Sequence, residues 1–401
     1  MEQIDNERQQ KAREYARIRR RLSLGSTAVM GIAAILLIVL QVDKWLRDQI
    51  QAASSQFTWL AWQPSPAYSD WYPVQILVYL VIVLLVVEIV TLPLSYYSGF
   101  VLSHRYGLSV MTLRAWIADL LKGGILGLIL QAFLVSLIYA LLAYQPQTWW
   151  LWVALFLLFF SVIMANLAPV LIFPLFYKFT PLPEGELTQR LLALAARANT
   201  RVRGVFTIHM SRKTTAANAA LMGLGNTRRI VVGDTMLDRY TPDEIEVVLA
   251  HELGHHVHRD IWKMIALESV LMLVDLFSAN LVLHWIVDVQ HYYRSLTDPA
   301  TLFFFGLLAG LFSLVIMPLN NAHSRHIERQ ADEYALQMTK KVEAFKSAMM
   351  RLANQNLSEI NPSPLIEFLF YSHPSIARRL KHADEFAQRP GAGTATPQAA
   401  S

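Results

Sequence analysis

Two histidines and a glutamate stand at helical spacing in the segment His251-Glu252-Leu253-Gly254-His255. Residues four apart lie on the same face of an α-helix, so both imidazoles can bind one zinc ion. Glu252 then points toward a water at the metal and can act as a general base. The segment therefore predicts one zinc ion per chain and hydrolytic chemistry.

The residues before this motif contain the signals that start a helix. Thr241 can cap the helix, Pro242 suits the first helical position, and Glu244 completes a capping box. Apolar side chains recur on one side of the predicted helix, at Ile245 and Val248. This setting favours a metal-binding helix over a polar helix face with structural histidines.

A catalytic zinc ion needs a third protein ligand and one open position. His258 lies seven residues from His251, roughly 10 Å along the axis, which is too far for a shared ion. The position of a third histidine in the extended motif holds Ile261. Glu328 and Asp332, four apart on a predicted helix, could supply a ligand and a carboxylate that orients an imidazole. The same spacing is common on solvated helix faces, so spacing alone leaves both interpretations open.

The composition indicates a membrane protein. Of 401 residues, 54% are hydrophobic and 16% are charged, whereas soluble domains are about one-quarter charged. The chain has no cysteine, which excludes disulfides, thiolate ligands and a cysteine nucleophile. A metal site must therefore use His, Asp or Glu side chains.

Six stretches are apolar enough to span a bilayer, which needs about 20 residues. They are residues 25–42, 72–94, 121–144, 149–177, 264–289 and 301–320. The first lacks a convincing small-residue cleavage site, so we expect a retained anchor and not a signal peptide.

The distribution of Lys and Arg predicts the orientation. The net charge is +5, and basic residues crowd the N-terminus just before the first apolar stretch. This placement is typical of a cytoplasmic flank and argues against nucleic-acid binding. Residues 95–120, 178–263 and the region after 321 are also basic, so we expect both termini and the catalytic region to face the cytoplasm.

The predicted organisation therefore alternates membrane and polar regions. It comprises a basic arm (1–24), four spans (25–177), a catalytic region (178–263), two spans (264–320), a helical region (321–388) and a disordered tail (389–401). Within the catalytic region we expect a helix over 186–198 and strands over Val205–Ile208 and Arg229–Val232.

Polar residues also occur inside the predicted spans. They are Glu88, Asn166, Glu268, Asp275 and Asn280, and prolines that could bend helices stand at 93, 169 and 174. Intramembrane polar residues line water-filled chambers or bond neighbouring helices, and the sequence favours neither over the other.

Taken together, these residues resemble the CAAX prenyl protease 1 family of membrane zinc peptidases. The resemblance covers nearly all of the chain after about residue 70. It is carried by Gly99-Phe100, His104-Arg105-Tyr106-Gly107-Leu108-Ser109, Thr112, Asp119, Phe179-Thr180-Pro181-Leu182-Pro183-Glu184-Gly185, Asn218-Ala219, Arg229-Ile230-Val231, the zinc motif, Glu328, Ala331-Asp332, Tyr371-Ser372-His373-Pro374 and Arg379. These motifs occur in the order and at the approximate spacing of the family.

The resemblance implies a mainly α-helical, polytopic membrane protein with a zincin-like metallopeptidase domain that carries a small β-sheet. It implies Glu328 as the third zinc ligand, with Asp332 behind a ligand imidazole. It places His373 and Arg379 near the substrate and the developing oxyanion, and Asn218 and Ala219 on a substrate-binding edge strand. The expected substrates are peptides or membrane proteins, including lipidated C-termini.

The chain departs from the eukaryotic members of this family, which have seven spans, by having one fewer before the catalytic region. It also lacks a retention tail, which suggests a bacterial member in the inner membrane. A transporter or channel with a structural zinc site would leave Glu252 without a task. A catalytically inactive scaffold would not need the full set of catalytic residue types.

Overall fold

The computed structural model describes residues 5–64, 71–223 and 225–390. The predicted disordered tail lies outside the described residues from position 391 onward. Most of the described chain is helical, and a small four-stranded sheet lies within residues 179–233.

The helices, numbered along the chain, account for both membrane and polar regions. They are α1 (Asn6–Val39), α2 (Val42–Ala53), α3 (Pro73–Ser95), α4 (Leu102–Arg105), α5 (Leu113–Tyr144), α6 (Trp149–Leu167), α7 (Phe173–Phe176), α8 (Glu186–Arg197), α9 (Asp234–Leu237), α10 (Pro242–Val257), α11 (Asp260–His284), α12 (Thr301–Thr339), α13 (Val342–Gln355), α14 (Pro364–Phe370) and α15 (Ile376–Ala387). Short π-helical segments join α3 to α4 and α6 to α7, and a third extends α11.

Six helical segments within the described residues are long and apolar enough to cross a membrane. They are Asn6–Val39, Pro73–Arg105, Leu113–Tyr144, Trp149–Phe176, Asp260–Val289 and Thr301–Thr339. The prediction of six spans is therefore confirmed, and the protein is a multi-pass membrane protein. Between the first two spans lies α2, whose 12 residues extend for about 18 Å, less than the roughly 30 Å of a hydrocarbon core.

The polar arm and the first span form one continuous helix. Asp5 caps α1 by accepting hydrogen bonds from the backbone N–H groups of Glu7 and Arg8. Helix α1 then continues without a break from its charged beginning into its apolar half. The basic residues are thus carried on a rigid extension of the span.

The sheet contains β1 (Phe179–Pro181), β2 (Val205–Ile208), β3 (Ala219–Met222) and β4 (Arg229–Gly233) in the order β1-β2-β4-β3. Strands β2 and β4 are parallel, whereas β1 and β3 pair antiparallel with their neighbours. The two strands predicted from β-branched runs are confirmed as β2 and β4. Strand β3 is an edge strand.

Helix α10 lies at the centre of the polar region. The predicted capping box is present: Thr241 accepts from Glu244 N–H, and the Glu244 carboxylate accepts from Thr241 N–H. Ile245, Val247 and Leu249 are buried in a core that also includes residues of β2, β4, α8, α12 and α13. Helix α10 is therefore held from several sides, as a helix bearing metal ligands must be.

The polar connections group at two ends of the helical bundle. At one end, Arg47 bonds Asp298 at 2.6 Å, and the Tyr293 hydroxyl donates to Asp43 at 2.9 Å. At the other end, the backbone N–H of Val110 donates to Lys213 C=O at 3.1 Å, joining the segment after α4 to the catalytic region. Residues 108–110, within the Lys- and Arg-containing segment 95–120, thus contact the predicted catalytic region.

Polar residues inside the spans make hydrogen bonds between helices. The Trp149 indole donates to Asn280 at 2.7 Å, linking α6 to α11, and Asn320 donates to Glu268 at 2.9 Å, linking α12 to α11. Asn166 bonds the carbonyl of Val162 on its own helix. For Asn280 the structure therefore shows the interhelical role, whereas Glu268 both accepts from Asn320 and lines a cavity that it shares with His255 and Glu328.

Candidate metal centre

Close packing of α10 against α12 creates the centre. The two helices meet at Gly254, where an added Cβ would lie 3.0 Å from Ala331 Cα and 3.3 Å from the Ala331 carbonyl oxygen. Real Cβ contacts are rarely so short, so glycine at position 254 permits the approach. The same approach brings Glu328, one turn before Ala331, over the motif histidines.

His251, His255 and Glu328 converge on one point. Their ligand atoms all lie within 4.8 Å of one another, which is compatible with a shared metal ion. Glu328 oxygens lie 3.3 Å from His251 Nε2 and 3.5 Å from His255 Nε2. His251 and Glu328 are 7% and 6% exposed, so this is a buried site and not a solvated helix face.

Each motif imidazole has a carboxylate behind it. His251 Nδ1 lies 2.9 Å from Asp332 Oδ1, and His255 Nδ1 lies 3.1 Å from Asp260 Oδ2. Asp332 and Asp260 are themselves almost fully buried. These pairs orient the rings and increase the basicity of the nitrogens that face the centre.

Asp260, which is buried against His255, is not among the site residues that the sequence predicts. Arg259 adopts a left-handed conformation with φ 57°, which separates α10 from α11 and turns Asp260 back toward His255. Helical periodicity does not extend across such a break. The available signal was an acidic residue at the start of the next helix, five positions after the second histidine.

The donor set fits a cation. Carboxylates only accept hydrogen bonds, so the Nδ1 atoms of His251 and His255 donate to Asp332 and Asp260, and the Nε2 atom of each ring faces the centre. Those two Nε2 atoms are 3.2 Å apart, and the buried Glu328 Oε2 has no hydrogen-bond donor. Two imidazole nitrogens and a carboxylate oxygen are ligands that zinc accepts.

The electrostatics of the site favour positive charge between the ligands. Although burial alone would lower the pKa of the His251 imidazole, the contacts with Asp332 and Glu328 raise it to about 9. The pKa of His255 is likewise raised, against the effect of burial, mainly by Glu328. The same negative surroundings stabilise a bound cation.

Glu252 is half-buried on α10, one position after His251. The described residues offer its carboxylate neither a hydrogen-bond donor nor an ion-pair partner. An unengaged carboxylate beside a metal centre can accept a proton from a water molecule.

The structure brings His373 and Arg379 to the centre in different ways. His373 lies in the connection between α14 and α15, with a 60% exposed side chain whose Nε2 is 3.2 Å from Glu328 Oε1. Arg379 is buried, donates from Nε to Asp332 Oδ2 at 2.8 Å, and places Nη2 3.4 Å from His251 Nδ1. His373 faces the open side, whereas Arg379 stands behind His251.

Asn218 and Ala219 lie at the beginning of the edge strand β3. The Asn218 carbonyl accepts from Gly233 N–H at 2.8 Å, and Ala219 pairs with Val232. Strand β3 packs beside α10. Within the described sheet, β3 has a strand partner on one side only.

Comparisons with known proteins agree with this geometry. Residues 1–178 match the family described as CAAX prenyl protease N-terminal, five membrane helices, and residues 181–387 match peptidase family M48. In the first region the described residues contain four candidate spans and the short α2.

Individual relatives cover most of the chain. An uncharacterized metalloprotease YhfN of Bacillus subtilis is 31% identical over 76% of this chain and 72% of its own length. CAAX prenyl protease 1 of Saccharomyces cerevisiae is 31% identical over 75% and 70%, respectively. The crystal structure of S. mikatae Ste24p superposes with a TM-score of 0.80 and 27% identity, covering 95% of this chain and 90% of that one.

Proposed function

The chain belongs to peptidase family M48 and is a membrane metallopeptidase, and from that premise we propose that His251, His255 and Glu328 hold one zinc ion for endopeptidase chemistry. The observation that supports this assignment most directly is the convergence of two imidazole Nε2 atoms and a buried carboxylate oxygen that has no hydrogen-bond donor. Zinc is the metal that this ligand set suits best.

Glu252 is the proposed general base. A bound zinc ion would supply Lewis-acid chemistry, lowering the pKa of a coordinated water and polarising the scissile carbonyl. Glu252 takes a proton from the attacking water and delivers it to the leaving amine nitrogen. Asp332 and Asp260 keep the two ligand rings in the tautomer that directs Nε2 to the centre.

His373 is the proposed donor to the oxyanion that develops at the scissile carbonyl. Its exposed imidazole lies beside Glu328 on the open side of the site, where a substrate carbonyl has access. Arg379, which contacts Asp332 and His251, adds a positive charge on the far side of His251 that stabilises the negative charge of the oxyanion. Such preorganised donors stabilise tetrahedral transition states.

The peptide is proposed to bind along β3. An extended substrate that pairs with this edge, near Asn218 and Ala219, would be held by main-chain hydrogen bonds with little dependence on its sequence. The location of β3 beside α10 would bring a scissile bond to the metal ligands.

The proposed setting is the cytoplasmic side of a bacterial inner membrane. Two segments that contain many Lys and Arg residues, the N-terminal arm and residues 95–120, contact the regions that carry the proposed site, and the positive-inside rule therefore supports a cytoplasmic location for that site. Proposed substrates are peptides and membrane proteins, including lipidated C-termini, the substrates that the name of the relative CAAX prenyl protease 1 indicates for that protein.

The test of this function is Glu252→Gln in purified full-length protein. We expect the variant to retain about one zinc ion per chain and to lose about 10²- to 10⁴-fold in kcat on an unstructured reporter peptide. Glu186→Gln, an exposed residue at the start of α8, is the matched control and should behave as wild type. Wild-type turnover by Glu252→Gln would refute the assignment of the base.

Cleavage of a prenylated CAAX peptide, its unmodified form and a membrane-protein substrate then separates the proposed substrate classes. A rate advantage for the prenylated peptide identifies lipidated C-termini as substrates. Equal rates for both peptides assign the enzyme to general peptide and membrane-protein cleavage.

A further inference from the structure

The imidazole of His373 lies on a connecting segment that has no regular secondary structure. Residues 371–375 connect α14 to α15, and α14 is itself preceded by the irregular stretch 356–363. Apart from Glu328, the contact of the His373 ring is with the hydroxyl of its neighbour Ser372, at 2.9 Å. The position of a side chain on such a connection depends on the contacts that other elements make with the connection.

The N-terminal helix α1 contacts the stretch before α14 and then Tyr371 itself, whose carbonyl also accepts from Arg325 of α12 at 2.6 Å. The buried Gln9 side chain acts as a main-chain partner for the stretch before α14. Its Nε2 donates to the Ser358 carbonyl at 3.3 Å, and its Oε1 accepts from Ile360 N–H at 3.1 Å. These bonds satisfy backbone groups in a stretch that has no regular structure.

Arg20 reaches the residues next to His373. Its Nη1 lies 3.3 Å from both Glu359 Oε2 and the Tyr371 hydroxyl, and that hydroxyl donates to Glu359 at 3.2 Å. Burial raises the pKa of Tyr371 to about 12, so the hydroxyl keeps the proton that it donates. Arg20 thus joins the two irregular stretches on either side of α14.

We propose that Arg20 is a positioning residue for His373. By holding Tyr371 and Glu359, the guanidinium fixes the connection that carries the imidazole to within 3.2 Å of Glu328. This inference rests on the proposed role of His373 in peptide hydrolysis. Arg20 touches neither the metal ligands nor the proposed substrate edge, so its effect on catalysis passes through His373.

The test is a double-mutant cycle with Arg20→Gln and His373→Ala in full-length protein. Arg20→Gln should lower kcat about tenfold with little change in KM, because the imidazole is no longer held in its catalytic position. In the His373→Ala background the same change should alter kcat less than about twofold. Metal content and Tm are measured for all variants.

Arg17→Gln is the matched control. Arg17 lies one turn earlier on α1, is exposed, and makes no ion pair or side-chain hydrogen bond within the described chain, so its loss removes the same charge without touching the segment. We expect wild-type kcat. If Arg20→Gln folds poorly, Glu359→Gln tests the same contacts, because Glu359 bonds both Arg20 and Tyr371. Arg20→Lys, which keeps the positive charge, should retain part of the kcat that Arg20→Gln loses.

Equal losses from Arg20→Gln with and without His373 would overturn the positioning role and leave the proposed peptidase function intact. Full activity of His373→Ala would instead overturn both the proposed oxyanion role and the positioning role of Arg20. Loss of metal from Arg20→Gln would also contradict the inference, because the ligands lie on α10 and α12.

Discussion

The helix pair α10/α12 and the connection 371–375 meet at the same site but are built differently. The proposed metal ligands lie on two long helices that touch at Gly254 and Ala331, within a packed core. His373 lies on an irregular connection that is held by Arg20 of α1 and Arg325 of α12. Arg20 is more than 300 residues away in sequence, and Arg325 is about 50 residues away. The ligand geometry is thus a property of helix packing, whereas the placement of His373 depends on distant polar contacts.

Substitutions in these two regions should therefore have different effects on the protein. Substitutions that disturb the helix pair should cause loss of metal or of ligand geometry. Substitutions that remove the contacts of residues 371–375 should lower kcat while the metal is retained. Three substitutions in and around α10 test this distinction.

Gly254→Ala should have the largest effect. The added Cβ meets the backbone of Ala331 at 3.0 Å, so α12 must move and carry Glu328 with it. We expect kcat/KM to fall about 100-fold, since a displacement of about 1 Å is enough to disturb such a site. Metal content and peptide cleavage are the measurements. Gly310→Ala on α12 is the matched control, because its Cβ meets nothing within 4 Å.

Wild-type activity of Gly254→Ala would show that close helix packing does not set the ligand geometry. Equal effects of Gly254→Ala and Gly310→Ala would point instead to the general properties of glycine in helices.

Asp260→Asn should have an intermediate effect. The carboxylate of Asp260 orients His255 and is also bonded by Lys263 at 2.9 Å. An amide is a weaker partner for the His255 N–H, so we expect zinc affinity to fall about tenfold. Competition with a zinc chelator measures this change. Unaltered affinity would mean that the Asp260–His255 contact does not tune the metal.

Glu244→Gln should have the smallest effect on activity and act on stability. Burial alone would raise the pKa of Glu244, but bonds from Ser347, Thr241 N–H and Arg351 lower it below the ordinary value of 4.5. The ionised carboxylate therefore stabilises the fold above about pH 4.5, and this stabilisation is lost as the pH falls through the lowered value. We expect the variant to lose about 1–3 kcal/mol at pH 7.

Thermal unfolding of chelated protein at several pH values measures this difference, with the exposed Glu343→Gln as control. The Tm difference between wild type and Glu244→Gln should shrink as the pH falls below about 4.5, because the pKa of Glu244 is lowered in the fold. A difference that stayed constant with pH would exclude the charge of Glu244 as its cause.

The sequence was sufficient to predict the features of the fold that depend on neighbouring residues. Apolar stretches predicted the six spans, capping residues predicted the start of α10, and β-branched runs predicted β2 and β4. Glu328 was a candidate from its spacing to Asp332, but only the packing of α10 against α12 brings it to the histidines. The roles of the site residues remain proposals that the experiments above test.

The determinants that sequence patterns did not indicate are those that act across breaks or over long separations. Asp260 follows a left-handed residue, so the periodicity of α10 does not lead to it. Strand β1 is three residues long and ends at a proline, which gives little β-signal. The contacts of Gln9 and Arg20 join residues more than 330 positions apart, a separation that no local pattern encodes.

Helix α12 carries the proposed ligand carboxylate and a membrane-spanning segment on one continuous helix. Its 39 residues extend over roughly 58 Å, and Glu328 lies about 40 Å from Thr301. Spanning helices adjust to bilayer thickness by tilting, and the close contact of α12 with α10 at Gly254 would resist such a tilt near Glu328. Pro318, between Thr301 and Glu328, is the position at which α12 can bend instead.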